Sequence, residues 1–221
     1  MELSETEFNG HKFFFRNGSS DTSVIQAMFC EKPEYTFPTN LNTKCIFDIG
    51  GNFGLLSVIL SITFPEAKIY SFEPVKENYD ILRKNIEHYP NVTAYNFGLG
   101  ESSELRTIKT SDDETDHGGF SLYENGLVKN HREQTVLIRS INEVIDEIQC
   151  SPDMIKIDTE GAEYDVLTSL KLERLDQVKY IIGELHEVKD FETLNHLRQN
   201  NFSLAFEKNL HNKNFMFLAL R

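Results

Sequence analysis

The chain has 221 residues, 39% hydrophobic and 26% charged, which suits a globular fold with one sizeable core. A formal net charge of −13 argues against nucleic-acid phosphates and anionic lipid as partners. No apolar stretch approaches the ~20 residues of a membrane span, and the acidic start from Met1 to Glu7 lacks the parts of a signal peptide, so the expected location is cytoplasmic.

Residues 1–43 read as a lead-in and 44–221 as the main domain. In the lead-in, residues 12–16 form a short strand, and Asp21 is the candidate N-cap of a helix over residues 22–30. Pro33 and Pro38 break the segment after that helix. Cys30, Cys45 and Cys150 have no metal-type spacing and read as reduced thiols. From residue 44 onward, strands at 44–49, 68–72 and 92–96 alternate with helices at 53–63 and 75–88. The second helix carries Tyr79, Ile81, Leu82 and Ile86 at helical spacing. Residues 100–134 are polar and read as a long loop, in which 111–123, with Gly118 and Gly119, is a candidate lid. Strands come next at 135–139, 154–158 and 178–184, and helices at 141–148, 163–170 and 191–199. Strands at 202–206 and 215–220, joined through a polar turn at 209–214, form an antiparallel hairpin. Such alternation predicts right-handed crossovers and a parallel sheet in one α/β domain.

The first strand of the main domain runs into Asp48-Ile49-Gly50-Gly51-Asn52-Phe53-Gly54. A tight strand-to-helix turn favours residues without a Cβ, and a ligand can then lie against bare backbone. A dinucleotide fingerprint, G-x-G-x-x-G, fails from Gly50 because its next two glycine positions hold Asn52 and Leu55. Asp48 suits a ligand with a cationic amino acid part rather than a pyrophosphate. Glu73, just past the next strand and stiffened by Pro74, is placed to accept ribose hydroxyls. A ribose beside a cationic amino acid describes S-adenosylmethionine better than a dinucleotide.

Together with Ser71-Phe72-Glu73-Pro74, Asn96-Phe97-Gly98-Leu99-Gly100 and Ile155-Lys156-Ile157-Asp158-Thr159-Glu160-Gly161-Ala162-Glu163, the turn resembles the FkbM family of class I S-adenosylmethionine-dependent methyltransferases. The resemblance runs from about residue 12 to 186. It implies a Rossmann-like, doubly wound seven-stranded α/β sheet, mostly parallel with an antiparallel last strand, and methyl transfer to a hydroxyl. Gly51 is a departure, since Ala is more usual there. The candidate cofactor contacts are Asp48, Gly50, Gly51, Asn52, Phe53, Gly54, Glu73, Pro74, Asn96, Phe97 and Asp158, with Ser121 a weaker candidate.

A second group, Asp158, Glu160 and His186, lies at the ends of two later strands, where open α/β sheets carry ligands. Asp158 and Glu160 are candidates to contact the acceptor. His186 is the candidate base, because imidazole titrates near neutral pH. Glu163 reads equally as a favourable charge at a helix N-terminus. With Glu184, the same residues offer a divalent cation oxygen and nitrogen ligands, although no His or Cys spacing of a tight transition-metal site is present, so the expected metal set is none. The expected partner is a small hydroxylated acceptor: a sugar, glycolipid or secondary metabolite. A binding module without chemistry and an RNA methyltransferase are the competing readings. The acidic strand ends weigh against the first, and the net charge weighs against the second.

Overall fold

The computed structural model describes residues 3–8, 10–31, 33–38, 41–111, 120–121, 131–186, 188–208 and 215–221. The lead-in starts as a hairpin of β1 (Leu3–Phe8) and β2 (His11–Arg16), turning at Gly10 with φ of 80°. Sequence pattern marks only the second strand, because Leu3 to Glu7 lacks an apolar run. Helix α1 (Ser20–Met28) comes next, and Ser19 rather than Asp21 is its N-cap; the Ser19 hydroxyl accepts the Asp21 N–H. Asp21 instead meets Arg16: Oδ2 accepts from Arg16 Nε and Oδ1 from Arg16 Nη2, each at 2.8 Å. Both residues are buried, and Arg16 Nη1 also donates to Asn78 Oδ1.

The main sheet is then built by β3 (Cys45–Ile49), α2 (Leu55–Thr63), β4 (Lys68–Phe72), α3 (Lys76–Asn85) and β5 (Val92–Tyr95). The chain continues through β6 (Gly98–Gly100), β7 (Glu104–Ser111), β8 (Phe120–Ser121), β9 (His131–Ser140) and α4 (Ile141–Ile148). It closes with β10 (Met154–Ile157), α5 (Glu163–Ser169), α6 (Leu172–Leu175), β11 (Tyr180–Leu185), α7 (Asp190–Gln199), β12 (Ser203–Lys208) and β13 (Phe215–Leu220). Seven strands form the sheet in the order β12-β13-β11-β10-β3-β4-β5. The last strand, β13, is antiparallel to both neighbours, and the other pairs are parallel. This is the Rossmann-like arrangement expected from the sequence. The turn between β12 and β13 lies outside the described residues.

Strands β3 and β10 are buried along their whole length, as expected where helices cover both faces of a parallel sheet. Alternation divides their side chains between two cores. Phe47, Ile49, Ile155 and Ile157 join the core that includes Val144, Val166 and Leu197. Ile46 and Met154 join the core that includes Leu55, Val58 and Leu82, along with Phe13 and Met28 of the lead-in. No helix among the described residues is long and apolar enough to cross a membrane.

Residues 100–134 do not form one long loop. Strands β7 and β9 pair antiparallel over eight residues and, with β6 and β8, make a second sheet in the order β6-β9-β7-β8. Strand β9 also starts before the anticipated residue 135. Ile108, Val136 and Ile138 close on Val75 as a small core of their own, placing this sheet beside the loop after β4. Most of the anticipated lid, including Gly118 and Gly119, lies outside the described residues, as does the Ser121 side chain.

Candidate active site

The turn after β3 needs its glycines. Gly50 has φ of 81°, and a Cβ there would meet the Asp158 carbonyl oxygen at 1.8 Å. Gly54 caps α2 in the left-handed region with φ of 89°. At Gly51 a Cβ would meet the Ser71 hydroxyl at 2.2 Å and Leu82 Cδ1 at 2.7 Å, so in this chain Ser71 fills the space a methyl would take. The amides of Gly50 and Gly51 both donate to the Phe72 carbonyl at 3.0 Å. Helix α2 starts at Leu55, later than anticipated, because Asn52, with φ of 47°, and Gly54 keep the turn out of helical geometry.

Asp48 does not face the cavity, contrary to the reading of its carboxylate as a ligand contact. It shares the strand face of Ile46, pointing toward α2, and is fully buried. Ser57 and Ser71 hydroxyls donate to its Oδ2, and Lys156 Nζ lies 3.4 Å from Oδ1. Lys156 in turn donates to the Gly50 carbonyl at 2.7 Å. Asp48 therefore braces the turn from behind through Lys156.

Glu73 does line the cavity. Its Oε2 accepts the Asn52 amide and its Oε1 the Val75 amide, each at 2.8 Å. Burial pushes its carboxyl up to about 7, against the pull of those amides and of Lys156. Pro74, Gly50, Gly51, Asn52 and Phe53 line the same cavity. Asn96 and Phe97 are not among its lining residues. The Asn96 amide donates to the carbonyls of Glu73 and Pro74 at 2.9 and 3.1 Å, fixing the loop. Phe97 packs on Tyr95 and Phe72, with ring centroids 5.3 and 5.7 Å apart. Beyond Pro74 the wall is mostly apolar, with Val75, Gly98, Leu99, Ile108, Val136 and Ile138 beside the charged Glu101 and Arg106. A Cβ on Gly98 would meet Ile138 Cδ1 at 2.8 Å, so this glycine makes room for the Ile138 side chain of the neighbouring strand β9.

At the other end, Asp158, Glu160 and Glu184 line the cavity around His186. His186 is only 7% exposed. Its Nδ1 is 3.0 Å from Oε1 of buried Glu163, which also accepts from the Thr159 amide, the Thr159 hydroxyl and the Gly161 amide. Its Nε2 lies 3.6 Å from Asp158 Oδ1, 3.6 Å from Glu160 Oε2 and 3.8 Å from Glu184 Oε2. Burial works against the imidazolium, but the Glu163 hydrogen bond and the charges of Glu160, Asp158 and Glu163 raise His186 to about 10. In the absence of any ligand these neighbours favour the protonated over the neutral imidazole. Glu160, at φ of 56°, is also raised: its recessed position comes first, His186 pulls the other way, and Asp158, Glu184 and Glu163 add to the rise.

The family described as the methyltransferase FkbM domain matches residues 48–215, which carry the glycine turn, Glu73 and the His186 cluster. The chain belongs to the FkbM methyltransferase family. As a member, it is similar to Methyltransferase 1 of Beauveria bassiana, at 27% identity over 74% of each chain. It is similar to methyltransferase sdnD of Sordaria araneosa, at 26% identity over 75% of this chain and 77% of the relative. Hexuronic acid methyltransferase AglP of Haloferax volcanii is 28% identical over 64% of this chain and 55% of its own. Among solved structures, a fibrillarin pre-rRNA processing protein of Methanococcus jannaschii shares the fold with a TM-score of 0.54 at 10% identity, over 99% of this chain and 82% of that one. Fibrillarin of Aeropyrum pernix, solved with S-adenosyl-L-methionine, aligns with a TM-score of 0.53 at 10% identity and the same coverage. These two likenesses concern the fold alone.

In this FkbM-family chain the lead-in contributes to the site in ways that sequence pattern does not reveal. Glu34 and Tyr35 line the cavity, and the Tyr35 hydroxyl donates to Asp158 Oδ2 at 3.3 Å. No local pattern marks either residue; their role comes from the packing of the lead-in against β10 and α2. Ile138 escapes notice for the same reason, since its strand is remote in sequence from Val75, on which it packs.

Proposed function

We propose that this methyltransferase binds S-adenosylmethionine across the glycine turn and transfers its methyl group to a hydroxyl of a small molecule. The observation that carries the donor reading is Glu73, a buried carboxylate fixed by two backbone amides at the carboxyl end of β4, in the same cavity wall as Gly50 and Gly51. The residues fit the group. Glu73 retains acceptor capacity for ribose hydroxyls, and the slot of Pro74, Val75, Leu99 and Ile138 offers an apolar bed for adenine. Gly50 and Asn52 line the cavity on the side left for the amino acid part.

The sulfonium supplies an activated methyl group, so the protein's contribution is mainly alignment and exclusion of water. Asp158 and Glu160 face the acceptor end, and Tyr35 orients Asp158 through its hydroxyl. Glu34, Asp158, Glu160 and Glu184 make that end acidic, which disfavours a phosphate-bearing acceptor such as RNA. A relative named for hexuronic acid methylation supports a sugar-like acceptor. The test is incubation of the full chain with methyl-labelled S-adenosylmethionine and a panel of uronic acids, neutral sugars and phenols. A labelled ether product read by mass spectrometry is expected. Label found on nitrogen or carboxylate products, with none on hydroxyls, overturns the assignment to a hydroxyl.

A further inference from the structure

We propose that Asp158, Glu184 and His186 form a divalent-cation site at the acceptor end of the cavity, and that the cation holds the acceptor hydroxyl. The site stands on side-chain geometry; its use on the acceptor rests on the proposed methyl transfer to a hydroxyl. Strands β10 and β11 are parallel neighbours with Ile157 opposite Gly183, so Asp158, Glu184 and His186 emerge side by side. Their candidate ligand atoms all lie within 4.8 Å of one another.

The imidazole gives the second observation. His186 is more than nine-tenths buried, and its Nε2 has no hydrogen-bond partner among the described residues. A buried polar atom without a partner calls for an explanation. The separations of Nε2 from Asp158 Oδ1 and Glu184 Oε2, 3.6 and 3.8 Å, are too long for hydrogen bonds. They match the roughly 3–4 Å between two ligands that share one cation at ~2.0–2.4 Å from each. Glu163, bound to Nδ1 at 3.0 Å, directs the Nε2 lone pair of the neutral ring into the cluster. That is how a carboxylate behind a metal-binding histidine works.

Two carboxylates with one imidazole suit Mn²⁺ or Mg²⁺ more than a thiophilic metal, and they leave positions for acceptor oxygens. In methyl transfer the cation draws electron density from the hydroxyl oxygen, and its proton passes to water. The oxygen–carbon bond forms as the carbon–sulfur bond breaks, and the electron pair stays on sulfur.

The test is an electron paramagnetic resonance titration of the metal-free full chain with Mn²⁺. One tightly held ion per chain, displaced by excess Mg²⁺, is expected. Glu184→Gln and His186→Ala are expected to weaken binding at least tenfold, and Glu163→Gln by about 10–100-fold as a positioning residue. Glu66→Gln, an exposed site away from the cluster, should leave it unchanged. Calorimetry with the demethylated cofactor in EDTA checks that each variant is folded and separates the two readings. Cofactor binding without Mn²⁺ retention overturns the metal site and spares the donor site. Mn²⁺ retention lost in the cluster variants, without cofactor binding in the wild type, upholds the metal site and overturns the donor site. Equal Mn²⁺ affinity in wild type and cluster variants overturns the proposal.

Discussion

The carboxylate of Glu73 accepts the backbone N–H of Asn52 at 2.8 Å, tying the loop after β4 to the glycine turn after β3. The same side chain therefore shapes the turn and faces the cavity. Burial raises the Glu73 carboxyl to about 7, above the ordinary value near 4.5, so the folded protein holds its proton more tightly than the unfolded chain. The stability this group contributes is fully present below about 4.5 and is lost as pH rises through about 7. Ribose hydroxyls favour the ionised form, so affinity for the demethylated cofactor is expected to rise between pH 6 and 8, with proton release on binding. Calorimetry in two buffers of different ionisation enthalpy reads this directly. Binding that is independent of pH and buffer would contradict it.

Gly51→Ala is expected to destabilise the chain, because its Cβ falls 2.2 Å from the Ser71 hydroxyl. Overpacking of this kind costs about 1–3 kcal/mol. Ser71→Ala removes that clash but also a hydroxyl near Asp48. The double variant should lose less than the sum of the two single losses in urea unfolding. Strict additivity would show that the two positions do not share the space.

Asp21→Ala leaves Arg16 buried without its carboxylate partner, at 4% side-chain exposure. A loss of about 3–5 kcal/mol is expected from chemical denaturation. Arg16→Met with Asp21→Leu should recover much of it, since the buried pair contributes little beyond its own desolvation. A single variant within about 1 kcal/mol of wild type, the size of an exposed ion pair, would remove this pair as the anchor of the lead-in.

Much of this architecture is legible in the sequence, for reasons that particular residues make clear. Cys45 to Ile49 and Met154 to Ile157 are continuous apolar strands with one charged member each, as a sheet covered on both faces requires. Gly50 and Gly54 announce a left-handed turn. The second sheet is hidden because β7 exposes Leu105 at 72% and buries Ile108, so its alternation is swamped by charged and hydroxyl side chains. Ser19 and Asp21 are both capping residue types, and only the pairing of Asp21 with Arg16 decides between them. The direction of Asp48 is set by strand alternation, but its partner Ser57 comes from the neighbouring helix. His186, just past β11, meets Glu163 at the start of α5, a relation that no local spacing contains.

Asp158→Asn is expected to lower turnover by about tenfold or more while changing affinity for the demethylated cofactor less than about twofold, the pattern of a group that acts in the transition state. Its side chain lines the cavity together with Glu160 and Glu184, while its backbone carbonyl packs on Gly50. Steady-state kinetics beside calorimetry separates the two effects. Full turnover would remove Asp158 from the reacting groups.

The most direct test is calorimetric binding of the demethylated cofactor to wild type and Glu73→Ala. We predict saturable binding at one site per chain, weakened by ~1.5–3 kcal/mol in the variant. Equal affinity in the two proteins, or no binding to wild type, would contradict a donor site built on Glu73 and the glycine turn.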